Sequence, residues 1–438
     1  MEPSSGLLGF AVMLALMVAR MPIGLALLVV GAGGYAWIAG WGTFLNYVKA
    51  TPYHHFSNYT LSVIPLFILM GALAEKSGLS TALFRAASSL VGHRRGGLAM
   101  GVVASCAAFG AICGSSVATT ATFARASLPE LARYRYDNGL ATGVVAVGGT
   151  LGILVPPSVI LVVYGITTEQ NIAKLFIAAF VPALFAVLLY FGVIALIVAQ
   201  RPALGPALPR ASHADRVRDI AAVWPALLVA VVVLGGIYGG VFSPTEGAAV
   251  GAIAMLAVAV LLGGLRWQGL KGALLQTAET SGMIFLILLG AEIFNAFLAL
   301  SQLPVAVAEW IGGGGFEPYG VLMLILLFYI LLGAIMDELA MILLTLPIFF
   351  PIIQSLDFGM LPDEVAIWFG ILVLIVVGVG LTAPPIGLNV FVVSAIARDV
   401  PLTRIYRNVL PFLAADLVRL VLVVFFPVLA LGLVRLLT

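Results

Sequence analysis

The chain has 438 residues, 62% of them hydrophobic and only 9% charged, with a formal net charge of +2 and a mean hydropathy of +1.18. Soluble domains carry roughly 25% charged residues, so a water-soluble globule is excluded, and so small a net charge supplies no basic footprint for nucleic acid. The composition fits an all-α polytopic membrane protein built from apolar runs of about 20 residues, the length that crosses a hydrocarbon core.

Lys and Arg collect in cytoplasmic loops and so orient the runs. Residues 7–19 run in toward Arg20, 22–41 run out, and 60–74 run in. The first run carries Glu2 and no preceding basic segment, which reads as a retained span, not a cleaved signal. His54, His55, Ser57 and Asn58, beside Tyr53 and Tyr59, read as an outside interfacial loop. Residues 96–124 are flanked by Arg85, Arg94 and Arg95 at one end and by Arg125, Arg133 and Arg135 at the other. Both flanks belong inside, so this stretch is predicted to be a re-entrant hairpin with its tip near Gly114-Ser115-Ser116. Cys106 and Cys113 lie on one helix face but roughly 10 Å apart along the axis, too far for a disulfide. They read as small packing residues.

Residues 139–165 cross outward, broken at Pro156-Pro157, and 172–200 return. The Arg- and Pro-rich segment 201–219 then reads as a cytoplasmic linker between a first half, 1–200, and a second, 220–438. Residues 220–242 and 247–265 go out and back, with Glu246 as a cap or turn residue, and 274–300 go out, carrying Glu292 beside Asn295. Residues 319–356 contain no Lys or Arg and are bracketed by Glu309, Glu317, Asp357, Asp363 and Glu364. They form a second predicted hairpin, entering from the outside, with its tip near Met336-Asp337. Residues 366–397 come back, broken at Pro384-Pro385, and 409–434 leave, with Asp416 and Arg419 read as a structural i, i+3 ion pair. This path puts all 21 basic residues in or beside cytoplasmic loops except Lys49, Lys174, Arg419 and Arg435, and both termini outside.

The two halves repeat. GAICGS from Gly110 is echoed by GAIMDE from Gly333, LFILMGA from Leu66 by FLILLGA from Phe285, and each hairpin is followed by a Pro-Pro pair. The charge rule makes the repeats inverted, and interrupted spans at matching places in inverted halves point to the binding site of a secondary transporter. Unwound backbone at membrane depth survives only where protein or a watery cavity shelters it. A hairpin tip facing a proline break offers carbonyl oxygens to a desolvated monovalent cation and helix N-termini to a carboxylate. Gly114, Ser115 and Ser116 are expected to face Gly149, Thr150, Val155 and Pro156. Met336 and Asp337 are expected to face Gly380, Thr382 and Ala383. Asp337 and Glu338, ionisable and mid-hairpin, are candidates for ion or substrate binding, with helix N-capping as the competing role of Asp337. The four histidines are scattered and show no metal-ligand spacing.

GAICGSSVATTATF from Gly110, GTLGILVPPSVILVVYG from Gly149 and APPIGLNVFVVSAIA from Ala383, with VGHRRGGLA and MDELAMILLTLPIFFP, resemble the large membrane subunit of tripartite ATP-independent periplasmic (TRAP) transporters along almost the entire chain. The resemblance implies an elevator-type transporter in a bacterial inner membrane, driven by Na+. It implies two partners, a small membrane subunit and a periplasmic binding protein, and import of a small organic anion. By the same analogy Ser115 and Pro156 form one sodium site, Asp337, Thr382 and Pro384 flank another, and substrate sits near Ser116, Thr119 and Asn389. Where the family pattern leads one to expect polar Asn and Glu before the second Pro-Pro, the chain has Val376 and Gly378, and Ala383 stands in place of Thr.

Three other readings compete. A stand-alone ion-coupled carboxylate transporter would need no binding protein. A hydrolase using Ser115 or Ser116 needs a base, and no His or Lys is near either tip in sequence. A passive channel would need no ion gradient.

Overall fold

The computed structural model describes residues 3–437, with backbone only at 308 and 310–313. Glu2 lies outside the described residues. The chain opens with α1 (Pro3–Val18), α2 (Ile23–Ala39), α3 (Trp41–Phe56), α4 (Val63–Lys76) and α5 (Leu79–Val91). A hairpin follows, α6 (Gly97–Cys113) and α7 (Ser116–Arg133), then the pair α8 (Asn138–Leu154) and α9 (Val159–Thr167), and α10 (Ile172–Gln200). The second half runs α11 (His213–Tyr238), α12 (Pro244–Leu261), α13 (Trp267–Ser301) and α14 (Leu303–Gly313). It closes with the hairpin α15 (Pro318–Gly333) and α16 (Glu338–Ser355), the broken span α17 (Pro362–Gly380) and α18 (Leu388–Ile396), then α19 (Leu402–Phe425) and α20 (Val428–Leu437). Among the described residues eight helices are long and apolar enough to cross a bilayer, or nine counting α8 with α9, which bend by 43°.

Main-chain and ionic contacts define two faces. On one, Gly96 N–H donates to the Gly205 carbonyl, Asp137 N–H to that of Leu204, and Leu98 N–H to the Tyr136 hydroxyl. Arg404 pairs with Asp137 there at 2.6 Å. On the other, Arg435 meets Glu364 at 2.7 Å, and Tyr319 packs on Phe358 and Phe425. Helix α19 links the faces, and its 24 residues span about 36 Å. The first hairpin therefore opens at the Arg404 face and the second at the Arg435 face, which is the expected inversion.

Both tips stop inside the layer. Gly114 adopts a left-handed φ of 64°, and a Cβ there would lie 3.0 Å from the Pro157 carbonyl oxygen. The tip thus abuts the first Pro-Pro break, beyond which α9 continues for about 13 Å. In the second half Gly387 N–H donates to the Ala334 carbonyl at 3.3 Å, so that tip abuts the second break. By length alone α16 passes as a crossing, but its start at this break makes it a hairpin arm. Both Pro-Pro bonds are cis.

Two bodies share the chain. Helices α2, α4, α11, α12 and α13 pack chiefly on one another, whereas the hairpins pack with α8, α9, α17 and α18, flanked by α10 and α19. Glycine permits the closest approach within the second body: a Cβ on Gly152 would lie 2.5 Å from the Ser115 carbonyl oxygen, and one on Gly149 would run into the Thr120 hydroxyl.

Several boundaries differ from the sequence expectation. Helix α7 continues to Arg133 instead of ending at 124, because its polar last turns leave the bilayer without losing their hydrogen bonds. Helix α11 begins at His213, where Ser212 caps it by accepting from Asp215 N–H at 3.1 Å, so the irregular linker shrinks to 201–212. His54 and His55 lie in α3, not in a loop, and α5 and α14 were unforeseen. Mixed composition conceals α3 and α5 from a hydropathy reading, and α14, at 11 residues, is too short to register as a span. The last span divides into α19 and α20 at Pro427, which has no N–H to donate. At 16 and 17 residues, α1 and α2 reach about 24–26 Å, short of a full hydrocarbon core of about 30 Å.

Candidate functional site

Four helix N-termini converge where the hairpins meet the breaks. Ser115 caps α7 by accepting from Ala118 N–H at 3.4 Å, and Ser158 caps α9 by accepting from Leu161 N–H at 3.4 Å. Asp337 caps α16, its Oδ1 accepting from Leu339 and Ala340 N–H at 3.1 and 3.0 Å. Gly387, at φ 55°, begins α18 with no side-chain cap. Asn389 Nδ2, in the first turn of α18, donates to Ser116 Oγ at 2.7 Å and to the Ala146 carbonyl at 3.2 Å. The Ser116 N–H lies against the Glu338 carboxylate. Each repeat's hairpin therefore meets a helix N-terminus of the other repeat. Four positive dipole ends in one low-dielectric region favour an anion, while the carbonyls freed at the two breaks suit a monovalent cation.

The expected residues divide among distinct surroundings. Gly114 and Ser115 do sit against the first break and against α8, with Ser116 beside Gly149. Val155 accepts no cap and is itself the C-cap of α8, half-buried next to buried Pro156. Thr150 turns its hydroxyl away from the tip, donating to the Val147 carbonyl at 2.7 Å and lying 3.3 Å from the Tyr190 hydroxyl. Around the second break, Gly380 packs against Gly333, and Thr382 donates back to the Val379 carbonyl at 3.1 Å. Met336 and Ala383 are buried there. Ser116, Thr119 and Asn389 have no exposed surface. Thr119 Oγ1 donates to the Ser115 carbonyl at 2.7 Å, so in this conformation the three residues close the region between the tips. Val376 and Gly378 are buried, and a Cβ on Gly378 would make only an ordinary contact with Thr150 Cβ at 3.6 Å.

Two cavities lie along α9, α13 and α16. The outer, of ≈ 650 Å³, brings Tyr47, His54, His55, Asn58, Glu292 and Asn295 together. The polar cluster on α3 and the Glu292–Asn295 pair, unrelated in sequence, thus share one vestibule. The inner, of ≈ 90 Å³, lies between the first hairpin tip and the other body. Ile160, Ile284 and Leu339 line the inner cavity, while Ile166, Leu288 and Leu343 line the outer. The two are stacked along the same helices.

Asp416, Arg419 and Glu246 have structural roles. Arg419 meets Asp416 at 2.9 Å with both side chains almost wholly buried, and Tyr190 donates to Asp416 Oδ2 at 2.7 Å. Glu246 and Ser243 form a reciprocal cap at the start of α12. Sequence reasoning missed Glu75, Gln276 and Tyr190. Glu75 reads as the charged end of a span beside Lys76, and nothing local relates it to Gln276, whose Nε2 donates to it at 3.2 Å.

Residues 10–429 match the family model described as "Tripartite ATP-independent periplasmic transporter, DctM component". The chain is 38% identical to a C4-dicarboxylate TRAP transporter large permease protein of Pseudomonas aeruginosa, over 86% of each chain. It is 30% identical to a sialic acid TRAP transporter large permease protein of Vibrio cholerae, over 94% of this chain and 95% of the relative. In fold it is similar to the Alcanivorax borkumensis YdaH transporter, with a TM-score of 0.64 at 14% identity over 87% of this chain and 88% of that one.

Proposed function

The chain belongs to the TRAP transporter family as its DctM component, the large permease subunit of a secondary transporter for organic acids, and from that premise we propose that it imports a small carboxylate with sodium, delivered by a periplasmic binding protein. The observation that carries the reading is the convergence of four half-helix N-termini on two proline breaks. The dipoles suit the carboxylate, and the carbonyls around Ser115–Pro156 and Asp337–Thr382 suit sodium. Relatives named for C4-dicarboxylates and for sialic acid both carry carboxylate cargo, which supports the class.

Placing the Arg404 face in the cytoplasm follows the distribution of positive charge and leaves both termini periplasmic. The hairpin body then slides against the α2–α4–α13 body as an elevator, carrying the Ser116–Thr119–Asn389 region between the two sides. A small membrane subunit supports the stationary body in an inner membrane.

The test is uptake into proteoliposomes holding the chain and its small subunit. A thermal-shift screen of the cognate binding protein first identifies the cargo. Uptake should require both an inward sodium gradient and the loaded binding protein. Uptake that persists without the binding protein favours a stand-alone carrier, and uptake that follows only the cargo gradient favours a channel. Either result sinks the proposal.

A further inference from the structure

We propose that Glu338 and Glu75 hold a small monovalent cation in the inner cavity, at the seam between the two bodies. This site is separate from the two main-chain sites at the breaks. Glu338 is 9% exposed, and its Oε2 is buried without a hydrogen-bond partner. It lines the ≈ 90 Å³ cavity together with Glu75, Gln276, Thr280 and Ser115. No Lys, Arg or His lines that cavity. Lys76, next to Glu75 in sequence, lies beside Gly272 on α13 instead.

Two carboxylates facing one cavity at membrane depth, with no basic side chain among them, call for a cation. A cavity volume of about 10–15 Å³ already admits a water, so the ≈ 90 Å³ cavity has room for a hydrated small ion. The ligand set sets its charge. Calcium takes six to eight oxygen ligands from carboxylates, carbonyls and waters. Among the described residues no group of three or more His, Cys, Asp or Glu is placed to hold a metal. Two carboxylates, an amide and hydroxyls suit an alkali cation.

The position adds a mechanical consequence. Glu75 and Gln276 belong to α4 and α13, whereas Glu338 and Ser115 belong to the hairpins. A cation bound by both carboxylates ties the hairpin body to the frame and must leave one of them before that body moves. This deepens the sodium-coupled reading and rests on it for the identity of the ion.

The test is thermal unfolding of the purified chain in lipid nanodiscs, titrated with NaCl, KCl or CaCl₂ at ionic strength held constant with choline chloride. Wild type, E75Q and E338Q are compared. Both Gln variants keep side-chain volume, and Glu75, only half-buried, keeps the test open should E338Q fail to fold. Sodium should stabilise the wild type, and E75Q and E338Q should each need roughly tenfold more sodium for half the effect, equivalent to ~1.4 kcal/mol. A wild-type sodium response in either Gln variant overturns the shared site while leaving the sodium-coupled reading standing. Stabilisation by calcium at lower concentration than sodium overturns the monovalent assignment. A wild type indifferent to sodium overturns this site and the sodium-coupled reading together.

Discussion

Replacing Arg419 by methionine removes the cation of an ion pair that lies almost entirely out of solvent. The side chains of Arg419 and Asp416 are 3% and 1% exposed and meet at 2.9 Å. An exposed pair of this geometry is worth about 0.2–1 kcal/mol, but deleting one member of a buried pair strands the other and costs about 3–5 kcal/mol. The structure places the two single variants at different points in that range. In R419M the stranded Asp416 still accepts from the Tyr190 hydroxyl at 2.7 Å, so the loss should be about 3 kcal/mol. In D416L the guanidinium, whose Nε and Nη1 already lack partners, loses the Asp416 carboxylate, and the loss should approach 5 kcal/mol. The double variant D416L/R419M removes both charges and should recover most of the stability. Unfolding can be followed by tryptophan fluorescence in nanodiscs. Trp368 is a suitable reporter because its indole N–H donates to the Val423 carbonyl, one turn beyond Arg419 on α19. A double variant no more stable than R419M, or single variants within about 1 kcal/mol of wild type, would refute the view that the pair is a buried structural element.

Three other perturbations follow from the geometry. S115A and D337A each remove a hairpin cap, should cost about 1 kcal/mol of stability apiece, and should raise the sodium concentration needed for uptake. Unchanged sodium dependence in both would remove these tips from the ion sites. G152A, whose new Cβ would lie 2.5 Å from the Ser115 carbonyl oxygen, should displace the first tip from α8 and reduce uptake several-fold while the protein still inserts, as checked by uptake alongside membrane yield. R435A breaks a pair that is 50% and 22% exposed and should change stability by less than about 1 kcal/mol, in contrast to R419M in the same unfolding assay.

Two of the four basic residues that broke the charge rule are accounted for by carboxylates. Arg419 has Asp416 and Arg435 has Glu364. The i, i+3 spacing of Asp416 and Arg419 is legible in the sequence, whereas Glu364 and Arg435 meet across 71 positions, a contact that hydropathy along the chain cannot register.

The sequence by itself determined the membrane class, the two tips at Gly114-Ser115 and Met336-Asp337, and the breaks at Pro156-Pro157 and Pro384-Pro385. Apolar length, glycine at a positive φ and proline's missing N–H act within a few residues, so they can be read in order. Amphipathic α3 and α5 escaped that reading because their apolar faces are satisfied only by neighbours brought in by the fold. Tertiary structure alone decided which polar groups far apart in sequence meet. Gln276 reaches Glu75 across 201 positions, Tyr190 reaches Asp416 across 226, and Asn389 reaches Ser116 across 273. Polar side chains buried at membrane depth must find partners wherever packing places them, and the inverted stacking of the two halves sets those positions, not their order along the chain.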